Sequence, residues 1–586
     1  MAGRRLFPAV VLLAAALHSA SIARSALPAQ DGLKFIRVAR QFQTDTWANV
    51  VRDTDQHPLY PALVALAEPV VAQVLGHGPE TWRIAAQAVA ALASLAILFP
   101  LFGLSRSLFD ARIAVMAVFI YALRPVPAEV GHDTLSDSLG LLCTALSLRY
   151  GVAAVASGDW RPALAAGLAG GVGYLARPEA ILAPLAICAA WVIRHGREFR
   201  LRPLLVSPVA PAVVLSALVL VGSYALVKGQ VSEKLALRSG AVLGSQAITA
   251  RPVPQLLPRG LDDGRWDFSA KEDGDRTRVK HPWKAARWIV LEWWDELCWG
   301  FAIMVVWGLV RRRFILGLCR DHAARCRATV SPLTDRPPPN PPPHRGEGIR
   351  SFPSPLVGEG QGGGALTLEV ETNPAHPPGE ESRAARLVLG TFAAVFLLAL
   401  VRHATGQGYI SGRHTLPLVL VSMPWAAAGS FVCLRGLGVK LPWSPRTAWA
   451  AGVLGTTLVA TILIAYQLRP GHPTRWGHRA AGQWLAAHRK PSEAVLDTRG
   501  WARFVSQAPG YDYWHVRQAL TDSHLAYVVV GLDELEGKSA RSKTLNALLA
   551  YAATPVQDFP AFAGDRNVGV RLYRFHRPDS WEGLAP

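Results

Sequence analysis

Long apolar runs dominate this sequence of 586 residues and restrict the folds that it can adopt. Several of them approach the ~20 residues that an α-helix needs to cross about 30 Å of hydrocarbon. Only 18% of the residues are charged and 51% are hydrophobic, whereas soluble domains carry about 25% charged residues. The sequence therefore predicts a mainly α-helical protein that crosses a membrane many times.

We predict about 11 membrane-spanning helices, packed as a bundle. The predicted spans are residues 5–24, 83–107, 111–128, 136–155, 162–177, 180–194, 203–227, 286–310, 386–402, 414–433 and 447–467. The first span also has features of a cleaved signal peptide, because Arg4 and Arg5 precede its apolar stretch, but we favour an uncleaved anchor. The apolar stretch 59–75 contains Glu68 and Pro69, so we interpret it as a re-entrant or interfacial helix broken at that point.

Basic residues cluster in alternate connections between the predicted spans, as in RHGREFRLR at 194–202 and RRR at 311–313. Because cytoplasmic loops are enriched in Lys and Arg, these connections are predicted to be cytoplasmic and the others extracytoplasmic. The net charge of +19 then follows from membrane orientation and requires no nucleic-acid partner. We expect a multi-pass protein of the plasma (inner) membrane, in contact with membrane lipid.

The chain is predicted to have four regions. Residues 1–330 form the first membrane region, and 386–467 form the second. Between them, 331–385 is predicted to be a disordered cytoplasmic insert, because 20 of the 50 residues 331–380 are Pro or Gly. Its PPPNPPP motif is typical of ligands for SH3 domains, but a tolerated insertion is the favoured interpretation. Residues 468–586 are predicted to form a small extracytoplasmic α/β domain, with a helix at GHRAAGQWLAAHR and strands at EAVLDTR, LAYVVVGL and VGVRLYRF.

The first predicted extracytoplasmic loop carries acidic residues and a histidine. Asp31 directly precedes Phe35, Val38, Ala39 and Phe42, whose helical spacing predicts a short helix on the membrane surface. An N-cap aspartate is the structural alternative for Asp31.

Farther along the same loop, Asp53 and Asp55 lead to His57, where Pro58 and Pro61 impose a turn or an extended entry into the apolar stretch. His57 is thus placed to contact a substrate at the membrane surface.

The other polar groups lie at the ends of predicted spans. Asp133 either contacts a substrate or caps the next helix, and Arg177 and Glu179 lie at membrane depth, where charges are usually functional or paired. The guanidinium of Arg413 suits phosphate recognition, although an arginine that reaches lipid headgroups is the alternative. The predicted side chains for donor or acceptor binding are therefore His57, Asp133, Arg177, Glu179, Arg413 and His414.

These carboxylates, histidines and arginines collect at one predicted membrane face. Such a set suits a reaction in which a carboxylate takes the proton of an attacking hydroxyl and cations stabilise a leaving phosphate. No cofactor is certain. The requirement for a divalent metal ion is open, because no trio of carboxylates has clear ligand spacing. The six cysteines form no CxxC pair that would indicate a metal knuckle.

Five segments, taken in order, resemble a known family. They are QDGLKFIRVARQF, HPLYPALVAL, HDTLSDSLGLL, GYLARPEAIL and SGRHTLPL. Together they resemble the GT-C membrane glycosyltransferases, and more closely the family 39 branch of protein O-mannosyltransferases and aminoarabinose transferases of lipid A. The resemblance runs from about residue 5 to residue 467.

The resemblance implies an inverting transferase that moves a sugar from a polyprenyl-phosphate carrier to a protein, lipid or glycan acceptor at the extracytoplasmic face. In this family an acidic residue shortly after the first span is the general base, and Asp31 occupies that position. Many relatives carry a second acid beside it, whereas this chain has Gly32. The resemblance also implies that Asp133 makes a polar contact in the second outer loop and that Arg413 contacts the carrier phosphate.

Two other classes of function are compatible with the sequence. A transporter or flippase of lipid-linked substrates is the first, and such proteins often show inverted repeats and broken helices near mid-membrane. We find no internal repeat between the two halves, and the acidic residues cluster at one face instead of mid-membrane. The second is a scaffold that binds partners through the PPPNPPP segment and the C-terminal region. Chemical transfer of a sugar would separate an enzyme from both.

Overall fold

The structure is a computed structural model that describes residues 2–196, 207–230, 281–311, 379–440 and 445–578, apart from 470, 471, 473, 538, 563 and 566. Most of the predicted Pro/Gly-rich insert lies outside the described residues. The helix after it begins at Glu380, inside the range 331–385 that was predicted to be disordered.

The described chain before residue 468 is almost entirely helical. Its first helices are α1 (Ala2–Arg24), α2 (Gln30–Thr44), α3 (Trp47–Asp53), α4 (Leu59–Leu75), α5 (Pro79–Leu108), α6 (Ala111–Leu123), α7 (Pro125–His132), α8 (Asp137–Ser157), α9 (Trp160–Ala176), α10 (Leu182–Gly196) and α11 (Val209–Lys228). A 3-10 turn, Pro178–Ile181, connects α9 to α10. The later helices are α12 (Pro282–Glu296), α13 (Cys298–Val310), α14 (Glu380–Gln407), α15 (Gly412–Lys440) and α16 (Pro445–Gln467).

Seven helices in the described part of the chain are long and apolar enough to cross a membrane. They are contained in α1, α5, α8, the 3-10 turn with α10, α11, α14 and α15. The pair α6–α7 makes an eighth span if it is counted as one element. The prediction of a polytopic helical bundle is confirmed, whereas the count of about 11 spans is not. The apolar stretch 59–75 is too short to be among the seven, and its helix α4 continues through Pro69 instead of breaking there.

Three predicted spans differ from the structure for identifiable reasons. The predicted span 111–128 is bent by 64° at Arg124, because the residue before Pro125 is disfavoured in a helical conformation. The predicted span 286–310 is split at Cys298, whose φ of 48° interrupts the helix. The predicted span 162–177 is the single helix α9 of 17 residues, which at 1.5 Å per residue is shorter than about 30 Å of hydrocarbon.

Small residues allow α9 and α11 to pack closely. A β-carbon at Gly167 of α9 would lie 2.0 Å from Ser216 Oγ and 2.2 Å from the carbonyl oxygen of Val213, both on α11. Glycine at this position therefore lets the two helix backbones approach each other, as small residues do in membrane helix pairs. This contact places the end of α11 beside the end of α9.

The C-terminal region forms a mixed five-stranded sheet between helices. Its elements are α17 (Arg475–His488), β1 (Ala494–Asp497), α18 (Trp501–Ser506), β2 (Gly510–Tyr511), a 3-10 turn (Tyr513–His515), α19 (Val516–Thr521), β3 (Leu525–Gly531), α20 (Leu532–Leu535), α21 (Ala540–Ala552), β4 (Ala553–Pro560) and β5 (Val568–Phe575). The strand order is β2-β1-β3-β5-β4. β1 pairs in parallel with β2 and β3, and β5 pairs antiparallel with β3 and β4.

The predicted small α/β fold of this region is confirmed. Every residue of β3 is buried, because helices cover both faces of the sheet and a strand covered on both sides is apolar throughout. Val528 and Val530 pack with Leu545 of α21 on one face, while Val529 packs with Leu485 of α17 on the other.

Candidate functional site

A cavity of about 370 Å³ lies where loops and helix ends of the membrane region meet. Six of the seven predicted site residues line it, and their roles in binding or catalysis stay predictions. The lining residues are Asp31, Phe35, Asp55, Gln56, His57, Leu135, Ser136, Asp137, Ala176, Arg177, Pro178, Glu179, Tyr224, Lys228, Tyr409, Arg413 and His414. Among its charged groups are carboxylates, guanidinium groups and an ammonium group, so the cavity can bind both an anion and a hydroxyl.

Asp31 lies in the first turn of α2. The N-cap position is held by Ala29, so the alternative interpretation of Asp31 as an N-cap is wrong. Its half-exposed carboxylate lies 3.4 Å from Nη1 of Arg413 and 3.7 Å from Nζ of Lys34. The carboxylate is therefore available to accept a proton or a hydrogen bond, with cations beside it.

The backbone at Gly32 lies directly against Thr134. A β-carbon at Gly32 would be 1.7 Å from Thr134 Oγ1 and 2.5 Å from Thr134 Cβ, closer than atoms can approach. No side chain fits at position 32 unless α2 or the segment around Thr134 moves. This close approach is the physical reason why this chain carries no second acid beside Asp31.

His57 lies in the connection between α3 and α4 and belongs to an aromatic cluster. Its ring is stacked on Tyr224 at a centroid distance of 5.6 Å and meets Tyr174 edge-on at 5.3 Å. Lys228, at the end of α11, donates from Nζ to the carbonyl oxygen of Arg52 at 3.1 Å and to that of Thr54. These contacts fix the backbone before His57 against α11.

Arg177 connects three elements of the site. It follows α9 and forms ion pairs with Asp137, in the first turn of α8, and with Glu179, whose Oε2 lies 3.5 Å from Arg177 Nε. The stem of Arg177 packs on Gly140, where a β-carbon would lie 3.1 Å from the Arg177 side chain. The guanidinium is thereby held at the cavity with carboxylates on two sides.

Arg413 and His414 lie in the first turn of α15. The Nδ1 of His414 lies 2.8 Å from the hydroxyl of Ser411, and its ring lies beside those of His403 and Tyr409, at centroid distances of 4.9 and 5.7 Å. Arg413 is the side chain that links Asp31 to this histidine cluster. Arg413 and His414 both line the cavity.

A second cavity of about 410 Å³ shares six lining residues with the first. Its shared lining is Asp137, Arg177, Pro178, Glu179, Arg413 and His414. The rest of its wall is largely apolar, for example Leu141, Val221, Phe396 and Leu400, which lie on the membrane helices α8, α11 and α14. An amphipathic molecule could therefore place a charged group at Arg177 and Arg413 and an apolar chain along these helices.

Asp133 is the one predicted site residue that does not line the first cavity. Its carboxylate is 4% exposed, accepts from Arg475 Nη2 at 2.9 Å and from the backbone amide of Ala29 at 2.8 Å. Burial alone would raise the pKa of this carboxyl, but Arg475, the amide of Thr134 and nearby His472 together hold the pKa below its ordinary value of 3.8. Both oxygens accept hydrogen bonds from this chain, and a role of Asp133 in substrate binding stays a prediction.

Sequence reasoning missed two lining residues of α11, Tyr224 and Lys228. A signal was present for Lys228, because a lysine that ends an apolar run marks the membrane surface. Tyr224 gave no signal, since a tyrosine inside an apolar run is ordinary for a span. In the described ranges no group of three or more His, Cys, Asp and Glu side chains is arranged to hold a metal ion.

Comparison with known proteins supports the family resemblance seen in the sequence. A family model described as dolichyl-phosphate-mannose-protein mannosyltransferase matches residues 58–224. This range contains Arg177, Glu179 and Tyr224 of the cavity but excludes Asp31 and Arg413. Comparison with curated proteins gives no match. The predicted resemblance to GT-C glycosyltransferases is confirmed.

Several solved structures are similar to this chain at low sequence identity. The apo crystal structure of ArnT from Cupriavidus metallidurans is 12% identical, has a TM-score of 0.52, and the match covers 97% of each chain. ArnT from the same organism bound to undecaprenyl phosphate is 12% identical with a TM-score of 0.49, covering 99% of this chain and 98% of that one. The apo oligosaccharyltransferase of Archaeoglobus fulgidus is 11% identical with a TM-score of 0.47, covering 96% of this chain and 75% of that one. The first comparison shows an ArnT-like fold.

Proposed function

We propose that this chain is an inverting membrane glycosyltransferase that moves a sugar from a polyprenyl-phosphate carrier to a hydroxyl-bearing acceptor at the extracytoplasmic face. The observation that carries the proposal is the shared wall of the two cavities. Arg177 and Arg413 lie where the polar cavity with Asp31 meets the largely apolar one. A lipid-phosphate donor has this combination of an apolar chain, a phosphate and a polar sugar.

The residues then have separable roles. Arg413 and Arg177 bind the phosphate of the donor, because guanidinium groups donate two hydrogen bonds to one anionic group. The isoprenoid chain follows the apolar wall formed by α8, α11 and α14. The sugar occupies the polar cavity, where His57 and Tyr224 offer ring surfaces beside it.

The transfer step is a single displacement at the anomeric carbon. The acceptor oxygen forms a bond to the anomeric carbon while the bond between that carbon and the phosphate oxygen breaks. The configuration at the anomeric carbon is thereby inverted. Asp31 takes the proton of the acceptor hydroxyl as general base. The polyprenyl phosphate leaves with its extra negative charge stabilised by the two arginines. Atoms and charges balance without a further reactant.

Every charged lining residue lies at a helix end, in the 3-10 turn or in a loop, as Asp31, Glu179 and Lys228 illustrate. This placement at one end of the bundle suits surface chemistry better than transport through mid-membrane. The match to the mannosyltransferase family model supports transfer as well. The acceptor, whether protein, lipid or glycan, depends on pocket shape and contacts that the charged groups do not define.

The decisive test uses the full-length protein in proteoliposomes with a panel of polyprenyl-phosphate sugars and an envelope extract as acceptor. Asp31→Asn should lower kcat by about 10²- to 10⁴-fold, the usual contribution of a general base. Asp53→Asn is the matched control, because Asp53 is exposed at the end of α3 and does not line the cavity. Retained transfer by Asp31→Asn with a donor that the wild type uses would exclude Asp31 as base.

Identification of the substrates needs a complementary measurement. Mass spectrometry of lipid-linked sugars and envelope glycans in a deletion strain should show an accumulated donor and a missing glycan. Movement of a labelled lipid-linked sugar across proteoliposomes without any chemical transfer would instead favour a flippase.

A further inference from the structure

The C-terminal domain contacts the membrane region at the loop that precedes Asp31. This 25–29 loop connects α1 to α2 and is almost completely buried, with Ala26 3% and Leu27 2% exposed. Both residues pack against Trp501 of α18. Among the described residues, none that follows His414 in the chain lines the cavity that contains Asp31. The domain can therefore influence the cavity only through its contacts with other elements.

Two side chains of the domain bind the backbone of the 25–29 loop directly. Trp501 donates from Nε1 to the carbonyl oxygen of Pro28 at 2.9 Å, and Arg475 donates from Nη1 to that of Leu27 at 3.0 Å. The Arg475 guanidinium also lies 5.7 Å from the centre of the Trp501 ring. Because carbonyls buried in this way have no water, each donor determines where the loop lies.

The Arg475 guanidinium also contacts the membrane region. Its Nη2 donates to Asp133, and the other oxygen of Asp133 accepts from the amide of Ala29 at 2.8 Å. The hydroxyl of Thr134 accepts from the same amide at 2.9 Å. The amide of Ala29, the N-cap residue of α2, is thus bonded to Asp133 and Thr134, although the Ala29 side chain itself forms no capping hydrogen bond.

We propose that Trp501, Arg475 and Asp133 are positioning residues that fix Asp31, three residues after Pro28, at its place in the cavity. The proposal rests on the proposed function of Asp31 as general base. A base must lie within hydrogen-bonding reach of the proton that it takes. A displacement of about 1 Å by a remote change can cost about 10²-fold in rate. The C-terminal domain thereby serves the reaction without contacting the substrates.

Trp501→Phe is the most selective variant. It removes the hydrogen bond to Pro28 and keeps an aromatic ring against Ala26, Leu27 and Arg475. We expect kcat to fall about 10- to 100-fold, with the KM for the donor within about twofold of wild type, because Arg177 and Arg413 are untouched. Arg475→Lys keeps the charge but lacks the planar fork that reaches Leu27 and Asp133 together, so its effect should be similar.

A test in the Asp31→Asn protein distinguishes a loss of Asp31 positioning from a general loss of structure. If Trp501 acts through Asp31, Trp501→Phe causes no further loss in the Asp31→Asn protein, because the two residues act as one unit. Arg571→Lys is the matched control: Arg571 pairs with Asp558 at 2.6 and 2.9 Å in the same domain, and this ion pair joins β5 to β4 and includes no residue of the 25–29 loop. It should leave kcat unchanged.

Backbone hydrogen exchange of residues 26–33 in the full-length protein gives a readout that does not depend on the reaction. Trp501→Phe and Arg475→Lys should accelerate exchange there, and Arg571→Lys should not. Unchanged exchange, an unchanged kcat, or an equal further loss of kcat in the Asp31→Asn background would overturn the proposal. If the wild type transfers no sugar from any donor, the proposed function fails, while accelerated exchange would still show that the domain fixes this loop.

Discussion

Replacing Gly32 by alanine tests how closely α2 must approach Thr134 for Asp31 to function. The new β-carbon would lie 1.7 Å from Thr134 Oγ1, 2.5 Å from Thr134 Cβ and 2.8 Å from its carbonyl oxygen. Rotation of the Thr134 side chain moves its hydroxyl and methyl groups but neither Cβ nor the carbonyl oxygen. Since carbon atoms pack at about 3.5–4.0 Å, the first turn of α2 and the segment around Thr134 must separate by about 1 Å or more.

The size of the effect follows from this displacement. Asp31 directly precedes Gly32, so its carboxylate moves with the turn. A misplacement of about 1 Å costs about 10²-fold in rate, equivalent to about 2.7 kcal/mol of transition-state stabilisation. Overpacking itself costs about 1–3 kcal/mol of folding free energy. We therefore expect a folded, less stable protein with kcat about 100-fold lower.

The assay compares initial rates of sugar transfer and thermal unfolding of purified full-length variants. Gly222→Ala is the matched control, because Gly222 also lies in a helix and has no atom within 4 Å of its ideal β-carbon. Adding Thr134→Gly to Gly32→Ala removes the two nearest contacts and should restore part of the lost rate. A kcat for Gly32→Ala within about threefold of wild type would refute the reasoning, because a shift of the base by about 1 Å could not be so harmless.

Two further predictions concern charges. Arg413→Gln should raise the KM for the donor about 10- to 100-fold, because hydrogen bonds to charged groups contribute about 1.5–3 kcal/mol. Initial rates at varied donor concentration measure this KM. An unchanged KM would exclude Arg413 from the proposed donor site. The lowered pKa of Asp133 means that its contribution to stability is fully present above the ordinary value of 3.8 and is lost as the pH falls through the lower folded pKa. The unfolding temperature of the wild type should therefore fall more steeply below about pH 4 than that of Asp133→Asn. Parallel curves would contradict the ion pair.

The general fold could be predicted because each span is encoded locally. A run of about 20 apolar residues is sufficient for a membrane helix whatever its partners are. The break before Pro125 also had a local signal, since the residue before a proline avoids helical geometry. The break at Cys298 had none, because its φ of 48° reflects the packing of α12 and α13 and not a residue type that favours such a turn.

The cavity was partly predictable for a related reason. Charges at membrane depth are rare enough to be conspicuous, and Arg177 and Glu179 were predicted to be of this kind. The ion pair of Asp133 had no local signal in the sequence, because its partner Arg475 lies 342 residues farther along the chain. An aspartate that binds a substrate and one that holds two domains together look the same until the fold brings the arginine to it.

The contacts of the 25–29 loop also have a consequence for biosynthesis. The bonds from Arg475 to Leu27 and from Trp501 to Pro28 join residues 448 and 473 positions apart. At about 5–20 residues per second, a ribosome needs roughly 20–90 s to make the second partner after the first. Until then, the nascent protein lacks the two hydrogen bonds that hold the 25–29 loop. In the proposed function, the residue proposed as base is therefore fixed only after residues 475 and 501 have been translated, so a chain released before that point should transfer sugar more slowly.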